Sequence, residues 1–554
     1  MSPIPSEGRR SSRRRFLVAT GAGAALLAGR SLPSIGAAEP AKYRRANINS
    51  PAGKRALVSY ERAVTKMLAL PPDDPRNWYR HALIHTLDCP HGNWWFLPWH
   101  RGYLGWFEQI CRDLSGDAKF ALPYWDWTDQ PALPPQFLTG NLNPANFALD
   151  DFAAFKAKYE SAFAAYWATL TKPQLDQLAQ RGTPPYTSAD AVWAAIEHSP
   201  PSDPNNPSMY PDKRYVRQLN PPHTQAFGPE TAMAVSMPVL LDALGPENFI
   251  EFGSHPVGQH SADGTKGSSG VLEAQPHNLV HNEVGGAWKT MPQQQGIMTD
   301  FLSPSDPVFF MHHANIDRLW DVWTRKQQAL GALTNNPSQF PIAPTGDDLQ
   351  RWNDEPFLFY IGVDGKLVAQ QKSGDYNDAS WFEYDYEPGA GEVVVPKTVV
   401  PRHPLAAKTF AAKVASPLGT VVEHARAAAD VPALLHRVAG ADGGVRVTAK
   451  ISVEMKNAPR NLRLHVFVNA PKDASMLDPQ DPHYAGTYQV FGGHGHGEGA
   501  ITFSMGLTGT LERLRGLDKL DPTQPLQISV LPALDGPGGK SVSVRVTKVE
   551  IKTH

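Results

Sequence analysis

Six histidines in two blocks constrain this chain more than any other feature: His85, His91 and His100 in one, His277, His281 and His313 in the other. Each block ends in a dense aromatic run, "FLPWHRGYLGWFE" from Phe96 to Glu108 and "DPVFFMHHANIDRLW" from Asp306 to Trp320. Each third histidine therefore sits in a helix apolar enough to be buried. Neutral imidazoles bind borderline metals, copper and zinc among them, so two triads read as the ligand sets of a metal pair.

The local pattern sharpens this. His277 and His281 are four apart, which on a helix puts both rings on one face. Asn278 stands where the zinc peptidase motif HExxH requires glutamate, so that chemistry lacks its general base. His85 and His91 flank "TLDCP", where Pro90 interrupts any helix. His85 is then expected at a helix end and His91 in the loop that follows. Pro98 and the pair Asp306 and Pro307 mark two helix starts, with Asp306 the expected N-cap, and place His100 and His313 in first turns.

The 554 residues suffice for more than one domain, and 52 Lys+Arg against 54 Asp+Glu leave no field that would favour nucleic acid. A small molecule is the expected partner. At the N-terminus, Arg9, Arg10 and Arg13 to Arg15 precede an apolar run of roughly a dozen residues, shorter than a bilayer span. "SRRRFLV" resembles a twin-arginine export signal, implying the twin-arginine machinery as a partner, a periplasmic or extracellular destination and no stable membrane insertion after cleavage. A short membrane anchor is the alternative. Only Cys89 and Cys111 are present, too few for a disulfide framework.

Four segments are expected: a signal over 1–38, a mainly helical catalytic domain over 39–387, a linker over 388–444, and a β domain over 445–554. The last rests on period-two alternation at Val445 to Val453, Leu462 to Val468, Leu526 to Val530 and Val542 to Val546, which predicts an antiparallel sandwich or barrel.

"FLPWHR", "EAQPHNLVH" and "DPVFFMHHANIDRLW" together resemble the two copper-binding regions of the tyrosinase and polyphenol oxidase family, type 3 copper proteins that also include molluscan haemocyanin. The resemblance runs from about Arg44 to Tyr386. It implies a four-helix bundle holding two coppers, one on His85, His91 and His100, the other on His277, His281 and His313. His81 and His312 are set aside by the family spacing, His312 as a residue behind the ligands or packed core. Cys89 resembles the cysteine that fungal members join to the second ligand, here His91, as a thioether. Its alternatives are a free thiol or a disulfide to Cys111.

With O₂ as co-substrate, the implied activity is ortho-hydroxylation of monophenols and oxidation of o-diphenols to o-quinones. Strict catechol oxidase, o-aminophenol oxidase and a haemocyanin-like oxygen carrier share the ligand set. Glu273 and Asn278 match the family pair that holds a water near copper as a base, which tilts the reading to tyrosinase; Glu273 as a mere cap or ion-pair partner is the plain alternative. Phe309 matches a phenylalanine beside the coppers, either limiting approach or simply packing. Tyr384 and Tyr386 resemble the family Y-x-Y motif, with Arg44 or Arg45 packed near it, and Asp317 and Arg318 are expected to form an ion pair. The C-terminal domain resembles one that keeps plant and fungal members latent. Its "GGHGHGEG" loop, with His494 and His496, is read as a copper carrier, a plug or a turn.

Overall fold

The computed structural model describes residues 41–554 apart from 148–151, 182–185, 198–216, 218–224, 258–259, 261–266, 289–290, 332–345, 370, 398–408, 415–422, 428–444, 457–461, 472–477, 490, 492–497, 522–525 and 534–542. The expected export signal and both histidines of the "GGHGHGEG" loop lie outside the described residues.

The first long helix, Pro51–Ala69, shows how local chemistry sets its ends. The Ser50 hydroxyl accepts from the Gly53 amide at 3.1 Å and Pro51 opens the first turn. Leu57, Tyr60, Val64 and Met67, spaced three or four apart, are buried on one face. Tyr60 meets Phe107 of the Phe96–Ser115 helix edge-on, with ring centroids 6.3 Å apart. The helices Trp78–Asp88, Phe96–Ser115 and Val308–Ala329 then share one apolar core with it. A π-helical turn, Glu273–His277, runs into the helix Asn278–Gly285. Pro276 lies within that turn and cannot donate an amide hydrogen bond there. The Val308–Ala329 helix begins one residue later than expected, after Pro307, although the Asp306 carboxylate still accepts from the Val308 amide at 3.0 Å.

Strand β1, Tyr43–Arg45, pairs in parallel with β5, Tyr384–Tyr386, and brings Arg45 opposite Tyr386. Behind this ribbon, Asp317 accepts from Arg101 at 2.6 Å, Arg45 at 3.1 Å, Tyr386 at 2.5 Å and also Tyr384. Burial pushes the Asp317 carboxyl up, but the two guanidinium groups outweigh it and hold it below its ordinary value. Arg318, the expected partner of Asp317, points elsewhere, toward Asn315 at 2.8 Å and Asp126 at 3.9 Å. Adjacent residues on a helix diverge by about 100° and do not face one another.

A hairpin of β3, Ala287–Trp288, and β4, Met291–Gln295, is separate from the larger sheet. That sheet comprises β2 (Ser268–Ser269), β6 (Thr409–Val414), β7 (Glu423–Ala427), β8 (Val447–Lys456), β9 (Arg463–Val468), β10 (Tyr484–Gln489), β11 (Glu498–Gly506), β12 (Leu526–Ala533) and β13 (Ser543–Thr553). Their order is β10-β9-β12-β7-β6-β13-β8-β11-β2. The two ends approach each other, since Tyr488 of β10 stacks on Phe503 of β11 at 4.2 Å. In β13, Val544 and Val546 are buried, then Val549 and Ile551; a bulge between Val546 and Lys548 shifts the inward phase by one residue. Strands β6 and β7 fall inside the segment expected as a linker, because "TFAAKV" and "EHARA" lack the alternating large apolar residues that mark a strand. Among the described residues no helix is long and apolar enough to cross a membrane.

The sheet is stitched to the helical part. Strand β2, which precedes His277, joins the β11 edge in parallel. Gln275 accepts from the Gly506 amide at 2.9 Å, and Arg463 reaches Glu230 at 2.9 Å. Asp242, on the helix Met237–Leu244, accepts from the Thr508 amide at 3.0 Å through one carboxylate oxygen while the other is buried without a hydrogen bond. Burial pushes this carboxyl up from 3.8 to about 7. A carboxyl that binds its proton more tightly when folded makes stability fall as pH rises between those two values. Asp242→Asn is therefore expected to raise the melting temperature more at pH 7 than at pH 4, measured by thermal unfolding across that range.

Candidate metal centre

The six imidazoles named from the sequence come together. His85 leaves the last turn of the Trp78–Asp88 helix, Cys89 caps that helix, and His91 sits in the following loop. His100 and His313 lie in the early turns of their helices, and His277 ends the π-helical turn. Within the first triad the ring centroids are 5.6 Å apart for each of the three pairs. Across the triads His100 stacks on His313 at 4.3 Å and His91 approaches His277 at 5.6 Å. All six are buried.

One ring nitrogen of most of these imidazoles is spoken for, and the other is left facing inward. His85 Nδ1–H donates to the Phe301 carbonyl at 2.7 Å, His100 Nδ1–H to Phe96 at 2.8 Å and His281 Nδ1–H to Met298 at 2.8 Å. His277 Nδ1–H donates to the Asn278 side-chain oxygen at 2.8 Å. Among the described residues, Nε2 of His85, His100 and His277 is buried with no hydrogen-bond partner. The Nε2 atoms of His281 and His313 point at each other, 3.0 Å apart. Buried polar atoms are seldom left so, and a carbonyl on one nitrogen is how ligating imidazoles are fixed in orientation. Burial lowers His85 and His277 to about 3 and pushes His100, His281 and His313 well down, which keeps the rings neutral and their lone pairs available. The donor set fits two ions.

His312 shares the cavity but not the arrangement. Its Nδ1 accepts from the Trp127 indole at 3.2 Å, and its ring stacks on His277 at 5.5 Å, although one of its ring nitrogens lies within 4.8 Å of nitrogens of His277, His281 and His313. Cys89 and Cys111 are both buried and not bonded to each other. The Cys89 sulfur lies 3.4 Å from His91 Nδ1, and burial holds the thiol protonated.

Glu273 and Asn278 lie behind the second triad rather than free beside it. The Glu273 carboxylate accepts from the Gly92 amide at 2.6 Å and from Ser254 at 2.6 Å. Burial nonetheless raises it from 4.5 to about 7. Asn278 Nδ2 donates to the Gln489 carbonyl of β10 at 3.2 Å, so the C-terminal sheet reaches the residue that orients His277. Phe309 packs against His313 at 4.2 Å and His85 at 5.0 Å, fully buried in the helix that carries His313.

Two parts of the site have no counterpart in the sequence reading. The short segment around Met298 and Phe301 supplies the carbonyls that orient one imidazole from each triad. It is held close because Gly285 and Gly296 meet backbone to backbone; a Cβ on Gly285 would lie 3.0 Å from the Gly296 carbonyl oxygen. Phe491, just beyond β10, lies over the imidazoles, 4.3 Å from His281, 4.8 Å from His91 and 5.5 Å from His277. It is 5% exposed and belongs to the core of the helical part, not to that of the sheet.

Residues 73–326 match the family model described as the common central domain of tyrosinase. A chloroplastic polyphenol oxidase of Vitis vinifera is 28% identical over 349 residues, 60% of this chain and 46% of that protein. One of Malus domestica is 25% identical over 421 residues, 73% of this chain and 57% of that protein. A tyrosinase of Hahella sp. (strain CCB-MM4) is 25% identical over 48% of this chain and 50% of its own length. The chain thus spans about half the length of the curated relatives it matches. Among solved structures, latent aurone synthase covers 94% of this chain and 92% of its own at a TM-score of 0.54 and 20% identity. Latent apple tyrosinase covers 94% and 100% at 0.53 and 19%. At that identity the likeness is one of fold, and it extends through the C-terminal sheet.

If the inward nitrogens hold metal, His281→Ala removes a ligand from one ion only. Metal analysis after copper loading is expected to give about half the copper of the parent protein.

Proposed function

We propose that this protein is a copper-dependent phenol oxidase that uses O₂ to hydroxylate monophenols at the ortho position and to oxidise o-diphenols to o-quinones, made in a latent form. The observation that carries this is the convergence of two buried imidazole triads, in which Nε2 of His85, His100 and His277 faces inward without a hydrogen-bond partner and Nε2 of His281 faces that of His313. One copper rests on His85, His91 and His100, the other on His277, His281 and His313. Bound as a pair, copper supplies the two-electron chemistry with O₂.

The chain's own residues do the rest. Carbonyls of Phe301, Phe96 and Met298 hold three imidazoles with Nε2 inward, and Asn278 does the same for His277. Glu273 is the proton acceptor for an incoming monophenol. A phenol of pKa near 10 needs a base, and a buried carboxyl held near 7 is poised at working pH. Its carboxylate reaches the phenol proton through a water beside Asn278. The Cys89 sulfur lies against the His91 ring, placed for the thioether that would fix this loop-borne ligand once the thiol S–H and a ring C–H give up two protons and two electrons to O₂. The helices carrying the triads act as the family's four-helix bundle, and the curled C-terminal sheet acts as a shield. The N-terminal arginines direct twin-arginine export to the periplasm or beyond.

Latency follows from Phe491. Its ring fills the space over His281 and His91 where a phenol ring would stack, so substrate cannot enter until the C-terminal part moves or is removed. Phe491→Ala in copper-loaded protein is expected to raise oxygen uptake with catechol severalfold, recorded with an oxygen electrode; an unchanged rate would reject the plug. In that opened background, Glu273→Gln is expected to depress tyramine hydroxylation far more than catechol oxidation. Equal losses would remove Glu273 as the base.

A further inference from the structure

The walls of the imidazole cluster are chemically unequal. Phe96, Phe301, Phe309 and Phe491 line most of it, and phenyl rings resist one-electron oxidation. On one side stands Trp99, whose indole is 4.9 Å from the His100 ring and 5.8 Å from His85. Indoles and phenols are the protein side chains that give up one electron most readily. Two such rings adjoin Trp99, Tyr103 at 5.0 Å and Tyr360 at 5.7 Å, and from Tyr360 the line runs to Tyr376 at a further 5.7 Å and then to Trp381 at 6.2 Å. The others are buried, and Trp381 is 48% exposed. A second branch from Trp99, through stacked Tyr103, meets Phe309 and Phe310.

We propose that Trp99, Tyr360, Tyr376 and Trp381 form an electron relay that drains oxidising equivalents from the histidine centre to the surface, where a one-electron donor such as a diphenol or ascorbate restores Trp381. The relay rests on the copper reading above. Rings in near contact pass an electron far faster than a bond-making step. The proton balance also favours passage over arrest. The Trp99 indole N–H donates to the Asp88 carboxylate at 2.7 Å, which stabilises a positive charge on the ring. Tyr360 O–H donates to the Trp99 carbonyl at 2.6 Å and Tyr376 O–H to the Gln371 amide oxygen at 2.8 Å. Neither acceptor is basic enough to keep the proton, so it returns when the electron is replaced. At Trp381 the indole meets water.

The need for such an exit follows from Phe491. With that ring in place no phenol reaches the imidazoles to supply electrons directly, so a small oxidant such as hydrogen peroxide needs another electron source. Each peroxide takes two electrons and two protons and leaves as two waters. The electrons arrive singly along the relay, two donor molecules lose one each at Trp381, and the protons come from solvent. Without a donor, Trp381 itself loses both electrons and gains a water oxygen, so tryptophan and peroxide give hydroxylated tryptophan and one water.

The test uses full-length copper-loaded protein treated with hydrogen peroxide, with copper content measured on the same samples and oxidation located by peptide mass spectrometry. Trp381 is expected to be the principal oxidised tryptophan. Tyr376→Phe keeps the ring stacked on Phe357 and Phe382 but removes the oxidisable phenol. It is expected to cut Trp381 oxidation severalfold and raise oxidation of Trp99 and the ligand imidazoles. Trp381→Phe, at an exposed position, is expected to move the radical seen by electron paramagnetic resonance inward to a tyrosine. Equal Trp381 oxidation in the parent and Tyr376→Phe, or in copper-free protein, would overturn the relay alone. A chain that binds no copper would overturn the metal reading and the relay with it.

Discussion

The structure depends on keeping six imidazoles dry, neutral and aimed at one another. Each ring nitrogen taken from water loses solvation, and several here recover a partner on only one side. Carbonyls of Phe96, Met298 and Phe301 fill the outer side. Surrounding packing fixes the rings in that orientation. A metal pair would supply the missing partners.

That constraint explains the aromatic density of both blocks. Trp, Tyr and Phe exclude water around the rings and lock rotamers through edge and stacked contacts. A second buried system, Asp317 with Arg45, Arg101, Tyr384 and Tyr386, ties the Val308–Ala329 helix to strands β1 and β5 and to the Phe96–Ser115 helix. Removing one member of such a cluster would leave an uncompensated charge. The same helix carries His313, so closure of the helical part and placement of a ligand are mechanically one event.

The C-terminal sheet enters the site twice, by the Gln489 carbonyl on Asn278 and by the Phe491 ring over the imidazoles. It is therefore placed to control access and the orientation of His277 together. Strand β2, from the helical part, completes the sheet edge, so the sheet is anchored by hydrogen bonds close in sequence to His277. The relay from Trp99 to Trp381 leaves through the side that the sheet does not cover with phenylalanine.

Much of this was legible locally. Pro90 placed His85 near a helix end and His91 in the loop after it, Pro98 and Pro307 placed His100 and His313 early in their helices, and alternating apolar residues placed β8, β9, β12 and part of β13, because side-chain period and proline geometry act over a few residues. The β13 bulge, the alanine-rich strands β6 and β7 and the true partners of Asp317 were not, since each is chosen by a neighbour distant in the chain. Phe491 is the sharpest case: an ordinary phenylalanine by sequence, it comes to lie over the imidazoles only because β10 packs against the helix that follows His277. The sequence by itself determined which groups could bind metal and which segments would coil or extend. Tertiary structure alone decided what lies over the centre and by which rings charge could leave it, because contact between residues hundreds of positions apart is set by packing and leaves no local pattern.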